Sequence, residues 1–151
     1  MNGPPSKKLT GWMILLIILL GPLSFGGSAR SLSVVPQTYR PYLAVYPSLA
    51  GAITAFQVLV GAGIAVWAYT AWLLYRREPG TLARAQVGLV TGGLLKIAGG
   101  LSIPLFGGLP PAVANSMVQE ALPGIIGSMV MIGIWYLYLA RSQRVRDIFA
   151  G

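Results

Sequence analysis

Read for polarity alone, the chain is a series of long uncharged runs separated by short basic or Pro/Gly-bearing intervals. Residues 9–29 carry no charge, and their core, LTGWMILLIILLGPLSF, is just long enough to cross a bilayer as a helix. A second uncharged run covers residues 41–75; its opening, PYLAVYPS, is broken by Pro41 and Pro47, which places the helix start near Ser48 and its end at Tyr75. A third run, 85–109, is interrupted by one charge, Lys96. A fourth, 121–140, follows Glu120 and ends at Arg141. Spans at approximately 9–27, 48–75, 85–107 and 117–140 define an all-α four-helix transmembrane bundle, one membrane domain over residues 1–151.

Turn signals fall between the later spans: Pro79-Gly80 after the second, and Gly107-Gly108 with Pro110-Pro111 after the third. These connections are short, so spans two, three and four are expected to be antiparallel neighbours. The connection after span one, about 26–46, is longer and rich in Ser, Pro and Tyr. It reads as a loop whose Tyr39, Tyr42 and Tyr46 sit at headgroup level. Lys7, Lys8, Arg76, Arg77, Arg84, Arg141, Arg144 and Arg146 collect on one side, and Arg30 and Arg40 on the other. That bias puts both termini in the cytoplasm and the Tyr/Pro loop outside. Lys7-Lys8, the apolar stretch and the small residues Gly27-Ser28-Ala29 also fit a cleaved secretory signal. The length of the apolar core favours a retained span.

Composition narrows the chemistry. The chain is 55% hydrophobic and only 9% charged, where soluble domains carry roughly 25% charged residues. It contains neither cysteine nor histidine, and its acids are Glu78, Glu120 and Asp147. Disulfides, thiolate nucleophiles, imidazole bases and multi-ligand metal sites are thereby removed or nearly so. No cofactor and no enzymatic activity are expected. The net charge of +8 fits cationic loops against anionic lipid headgroups at the cytoplasmic face, and not nucleic acid.

Lys96, in LVTGGLLKIAGG (89–100), is the residue that demands a reason. Insertion scales charge roughly 2.5–3.5 kcal/mol for a lysine at a span centre. Gly88, Gly92, Lys96 and Gly100 recur every four residues, a stripe on which small residues let another helix approach; Gly93 and Gly99 widen it. The lysine then points into the bundle, either serving a function or reaching a carbonyl, a water or the interface with its long stem. Glu120 is its one plausible acidic partner; alternatively Glu120 complements the dipole at the start of the fourth helix. Gln57 and Thr54 in the second span suit interhelical hydrogen bonds or a polar lining. Lys96, Glu120 and Gln57 together make the candidate intramembrane polar site. A Schiff-base role for Lys96 lacks acid–base companions apart from Glu120. Beyond the last span, the basic cluster anchors topology, with Ile148 and Phe149 as candidate apolar anchors for a cytoplasmic partner.

The two ends of the chain carry a pattern. Gly11-Trp12 opens the first span, and the last span runs Trp135-Tyr136-Leu137-Tyr138 into Ser142, Arg144, Val145, Arg146 and Phe149. With four spans, this resembles the small bacterial membrane proteins of domain-of-unknown-function family 2569, with Ile148 departing from the usual small polar residue. The resemblance implies a bacterial inner-membrane protein and brings no established activity. The expected role is that of a non-enzymatic accessory, scaffold or assembly partner, bound to another membrane protein or to itself. The alternative is a small oligomeric transporter or pore with Lys96 and Glu120 lining the path. Because the chain has no cysteine, topology is directly testable. Ser33→Cys should react with an impermeant maleimide on intact spheroplasts, and Gln143→Cys only after permeabilisation; the reverse pattern would invert the orientation.

Overall fold

The computed structural model describes residues 11–150, and the described residues form helices and turns with no strand. Helix α1 (Gly11–Ile18) passes through a π-helical turn (Leu19–Leu23) into α2 (Ser24–Tyr39) and a 3-10 turn (Arg40–Tyr42). These pieces form one 32-residue rod, called helix one below. It is followed by α3 (Ser48–Arg76), α4 (Thr81–Phe106), α5 (Pro111–Arg141) and the short α6 (Gln143–Phe149). Helix one, α3, α4 and α5 are each long and apolar enough to cross a membrane.

The second span agrees with the polarity pattern to within one residue. The first does not. Its expected end at residue 27 and the expected 26–46 loop are replaced by continuing helix as far as Tyr42. Pro22, which lacks an N–H and normally breaks a helix, sits inside the wider π-helical turn. Beyond it, Ser24, Ser28, Leu32, Val35 and Tyr39 recur at three- and four-residue intervals and share one face. The two serines are buried, and Leu32, Val35 and Tyr39 pack on an apolar cluster. Loop-like composition here conceals a helical face made of small polar residues. Of the three loop tyrosines, only Tyr42 is largely exposed. Residues 9 and 10, with Lys7 and Lys8, lie outside the described residues.

The third span starts one turn earlier than expected, at Thr81, so Arg84 belongs to α4. The fourth starts six residues earlier, at Pro111, the first helical position, where a missing N–H costs nothing. Glu120 therefore lies well inside α5, and its expected role at the helix N-terminus is not what the structure has.

The central pairing is α3 against α4. It is close because glycines face side chains across it. A Cβ at Gly88 would collide with Thr70, and one at Gly92 with the Trp67 ring. At Gly99 it would come within 2.7 Å of Val60 Cγ2. From the other side, a Cβ on Gly63 would lie 2.6 Å from Lys96 Cγ and 2.8 Å from the Gly92 carbonyl oxygen. Gly100, expected on the same stripe, has nothing within 4 Å. A four-residue repeat drifts around a helix of 3.6 residues per turn, and by Gly100 it has left the interface. Polar ties hold the pair at one end. Ser48 Oγ donates to the Gly107 carbonyl at 2.9 Å, and Ser102 Oγ is 3.1 Å from the Ala52 carbonyl. At the other end, Arg77 (φ 55°) and Gly80 (φ 78°) turn the chain in the left-handed region.

Two apolar cores result. One joins Met13, Leu16 and Leu20 of helix one to Leu74, Leu89, Trp135, Leu139 and residues of α6. The other gathers Leu49, Ile53, Phe56, Val60 and Ile103, with Leu32 and Val35 packed against it. Helix α6 closes the first. Ser142 caps it by accepting a hydrogen bond from the Val145 N–H, while Val145, Ile148 and Phe149 are buried. Ile148 and Phe149 thus fill the chain's own core and are not free to anchor a partner; Arg144 and Arg146 stay exposed. The two ends of the resemblance also meet here. Trp12 stands edge-on to Trp135 at 6.0 Å, and Trp135 edge-on to Tyr138 at 5.8 Å.

Gly92→Ala should destabilise the fold by about 1–3 kcal/mol, because Trp67 must leave its seat. Gly100→Ala should be neutral or slightly stabilising. Unfolding in mixed micelles compares the two.

Candidate functional site

Lys96 lies on α4 between the two cores: Leu89 belongs to the first and Ile103 to the second. Its stem crosses α3 at Gly63, the position with room for it. Its ammonium donates to Ser24 Oγ at 2.9 Å and stands 4.3 Å from the centre of the Trp67 ring. The ring is itself fixed, since the indole Nε1–H donates to the Leu89 carbonyl at 2.9 Å. A cation over an indole face gains about 0.5–2 kcal/mol, more as water is removed. The lysine is therefore held by a hydroxyl and an aromatic face, without a counter-charge.

This cluster borders two cavities. One, about 300 Å³, is lined by Leu16, Leu20 and Ser24 of helix one, Trp67 of α3, Lys96 of α4, and Ser128 and Ile132 of α5, among others. The second, also about 300 Å³, lies between α4 and α5 beside Gly93, Gly100 and Gly124. Trp67, Lys96 and Ser128 line both. Gly100 thus shapes a space and does not make a helix contact.

The other expected site residues are elsewhere. Glu120 forms no ion pair with Lys96; Arg76 and Glu78 do pair, at 3.3 Å. Register explains this. Ser128 is the α5 residue that lines both cavities with Lys96, and Glu120 is eight residues before it, about 12 Å along the helix axis. Glu120 lies three residues after Met117, whose sulfur is 3.9 Å from Tyr39 Oη of helix one. Gln57 is exposed on α3, and Thr54 Oγ1 turns back to the Ala50 carbonyl of its own helix at 3.0 Å. Neither reaches Lys96. Gly88 and Gly92 do serve the α3–α4 contact.

Ser24, Trp67 and Ser128 are the site residues that the polarity pattern misses. Each had a faint signal. Ser24 follows Gly21-Pro22, Trp67 comes four residues after Gly63, and Ser128 comes four after Gly124. None of these spacings names Lys96 as the neighbour. Chemically, the site offers an ammonium and hydroxyls in an apolar wall, with no carboxylate lining either cavity. It suits the binding of an electron-rich or anionic group, not proton relay.

The four helices long and apolar enough to cross a membrane, with a half-buried lysine among them, fit a multi-pass membrane protein. Comparison of the chain with models of known families, with curated proteins and with solved structures finds no match. The functional reading accordingly rests on the sequence and geometry of the chain itself.

Ser24→Ala should lower the unfolding free energy by about 0.5–1.5 kcal/mol, the range for interhelical hydrogen bonds in membranes. With Lys96 already changed to Met, the same substitution should cost far less. A double-mutant cycle measures that coupling; equal effects in both backgrounds would mean that the Lys96–Ser24 bond contributes nothing.

Proposed function

We propose that the chain is a non-enzymatic multi-pass membrane protein acting as an accessory or assembly partner through its outward helix faces. Both termini are read as cytoplasmic, with Arg76, Arg77, Arg84, Arg141, Arg144 and Arg146 meeting anionic headgroups there. Placement in a bacterial inner membrane rests on the resemblance carried by Gly11-Trp12 and the residues from Ser142 to Phe149.

The observation that supports assembly most directly is α5. Of its 31 residues only Trp135 and Leu139 are buried, and Gly124, Gly127 and Gly133 have nothing within 4 Å of a Cβ position. Glycine inside a helix costs about 0.5–1 kcal/mol relative to alanine, and membrane helices commonly use it where another helix packs closely. Gln57 adds to this, since an amide exposed on the side of α3 at hydrocarbon depth calls for a hydrogen-bonding neighbour. The transporter alternative has less support. Glu120 and Gln57 do not join Lys96, and apolar cores lie above and below the lysine.

A photo-crosslinking residue placed at Val130 or Ile126 on α5 should trap one defined protein adduct, self or other, in native membranes. Gly127→Leu should abolish it while insertion persists. Adducts to lipid alone, or solute flux by the purified chain in liposomes, would overturn the assembly reading.

A further inference from the structure

We infer that the cavity at Lys96 binds a single-chain amphiphile bearing one carboxylate, of the long-chain fatty-acid class. The carboxylate would accept from the Lys96 ammonium, and the acyl chain would lie between helix one and α5. This stands apart from the assembly reading, which concerns the outer face of α5.

Three observations carry it. The first is the polarity of the site. It presents donors, namely the Lys96 ammonium with the Ser24 and Ser128 hydroxyls, inside a wall that is otherwise leucine, isoleucine, methionine and tryptophan. Charge-assisted hydrogen bonds are the strong ones, and one cation matches one negative charge. A small hydrated anion would lose its water to apolar side chains that return nothing. An amphiphile brings apolar surface of its own, which those side chains receive.

The second is access. Helix one and α5 do not pack along their lengths. They meet at Trp12–Trp135, 6.0 Å between ring centres, and again where Tyr39 Oη lies 3.9 Å from Met117 Sδ. Between these pins the cavity reaches the outer surface, since its lining residues Leu23 and Met131 are 63% and 39% exposed. A molecule dissolved in the bilayer can enter sideways through this gap. A water-borne solute meets an apolar core from either end of the bundle.

The third is depth and size. Lys96 is ten residues from the end of α4 at Phe106, about 15 Å along the axis. A two-chain phospholipid keeps its headgroup at the membrane surface, whereas a single-chain acid carries no bulky head to leave there. The two adjoining cavities, about 300 Å³ each, fall at the lower end of ordinary ligand pockets, roughly 300–1,000 Å³.

The test uses the full chain in zwitterionic-lipid nanodiscs. Trp12→Phe and Trp72→Phe remove the two exposed indoles and leave Trp67 and Trp135, which line the cavity. Dibromostearic acid should quench the remaining fluorescence saturably, displaced by stearic acid and not by methyl stearate. Lys96→Met should raise the half-saturating concentration about tenfold or more, as expected for losing a charge-assisted hydrogen bond. Ser24→Leu, which keeps the lysine and fills the head end, should weaken binding as well and serves if Lys96→Met does not fold. Equal quenching by the brominated methyl ester, or curves unchanged in both variants, would show simple partitioning and overturn the proposal. Displacement of the acid by chloride or inorganic phosphate would overturn it in favour of a small-anion site.

Discussion

The close approach of α3 to α4 is the contact on which the rest of the molecule depends. Apolar side chains gain little from leaving lipid for protein, so helices in a membrane associate through van der Waals fit and a few hydrogen bonds. Here the fit comes from Gly88, Gly92 and Gly99 on one helix and Gly63 on the other, each set against a side chain or backbone group opposite. That fit brings Trp67 near enough to α4 for its indole to reach the Leu89 carbonyl. Trp67 then provides the face under the Lys96 ammonium. Without the glycines there is no seat for the tryptophan, and without the tryptophan the lysine loses half of its surroundings.

The second consequence concerns helix one. Lys96 takes its hydroxyl partner, Ser24, from this rod, one residue past the π-helical turn that holds Pro22. A π-helical turn adds a residue to the helix and rotates everything beyond it. Ser24, Ser28, Leu32, Val35 and Tyr39 already share one face by their spacing, and the turn sets the direction of that face relative to Gly11–Ile18, so that it meets the bundle. The same local irregularity therefore accommodates a proline, extends the helix and delivers a hydroxyl to a buried cation.

The layering of the bundle follows. Lys96 lies between two apolar cores, and the cavity beside it borders the first of them. Helix α5 packs chiefly on α4 and buries Trp135 and Leu139 in the first core, while its face beside Ser128 is left open.

How much of this was legible in the sequence depends on the range of the physics involved. Charges are excluded from hydrocarbon residue by residue, so the runs between them marked α3 nearly to the residue and identified four long apolar helices. The absence of Cys and His, visible in the sequence alone, restricted the chemistry, and the conspicuous Lys96 marked the centre of the site. Helix one beyond residue 27 was not legible, because serines and a proline read as a loop until a partner surface shows that they form a face. The neighbours of Lys96 were decided only by tertiary structure. Ser24, Trp67 and Ser128 reach it, while Glu120 and Gln57 do not, because which residues stand level depends on helix starts, on one π-helical turn and on the rotation of each helix about its axis. Those are global quantities, set when the helices pack, and no spacing within a single span encodes them.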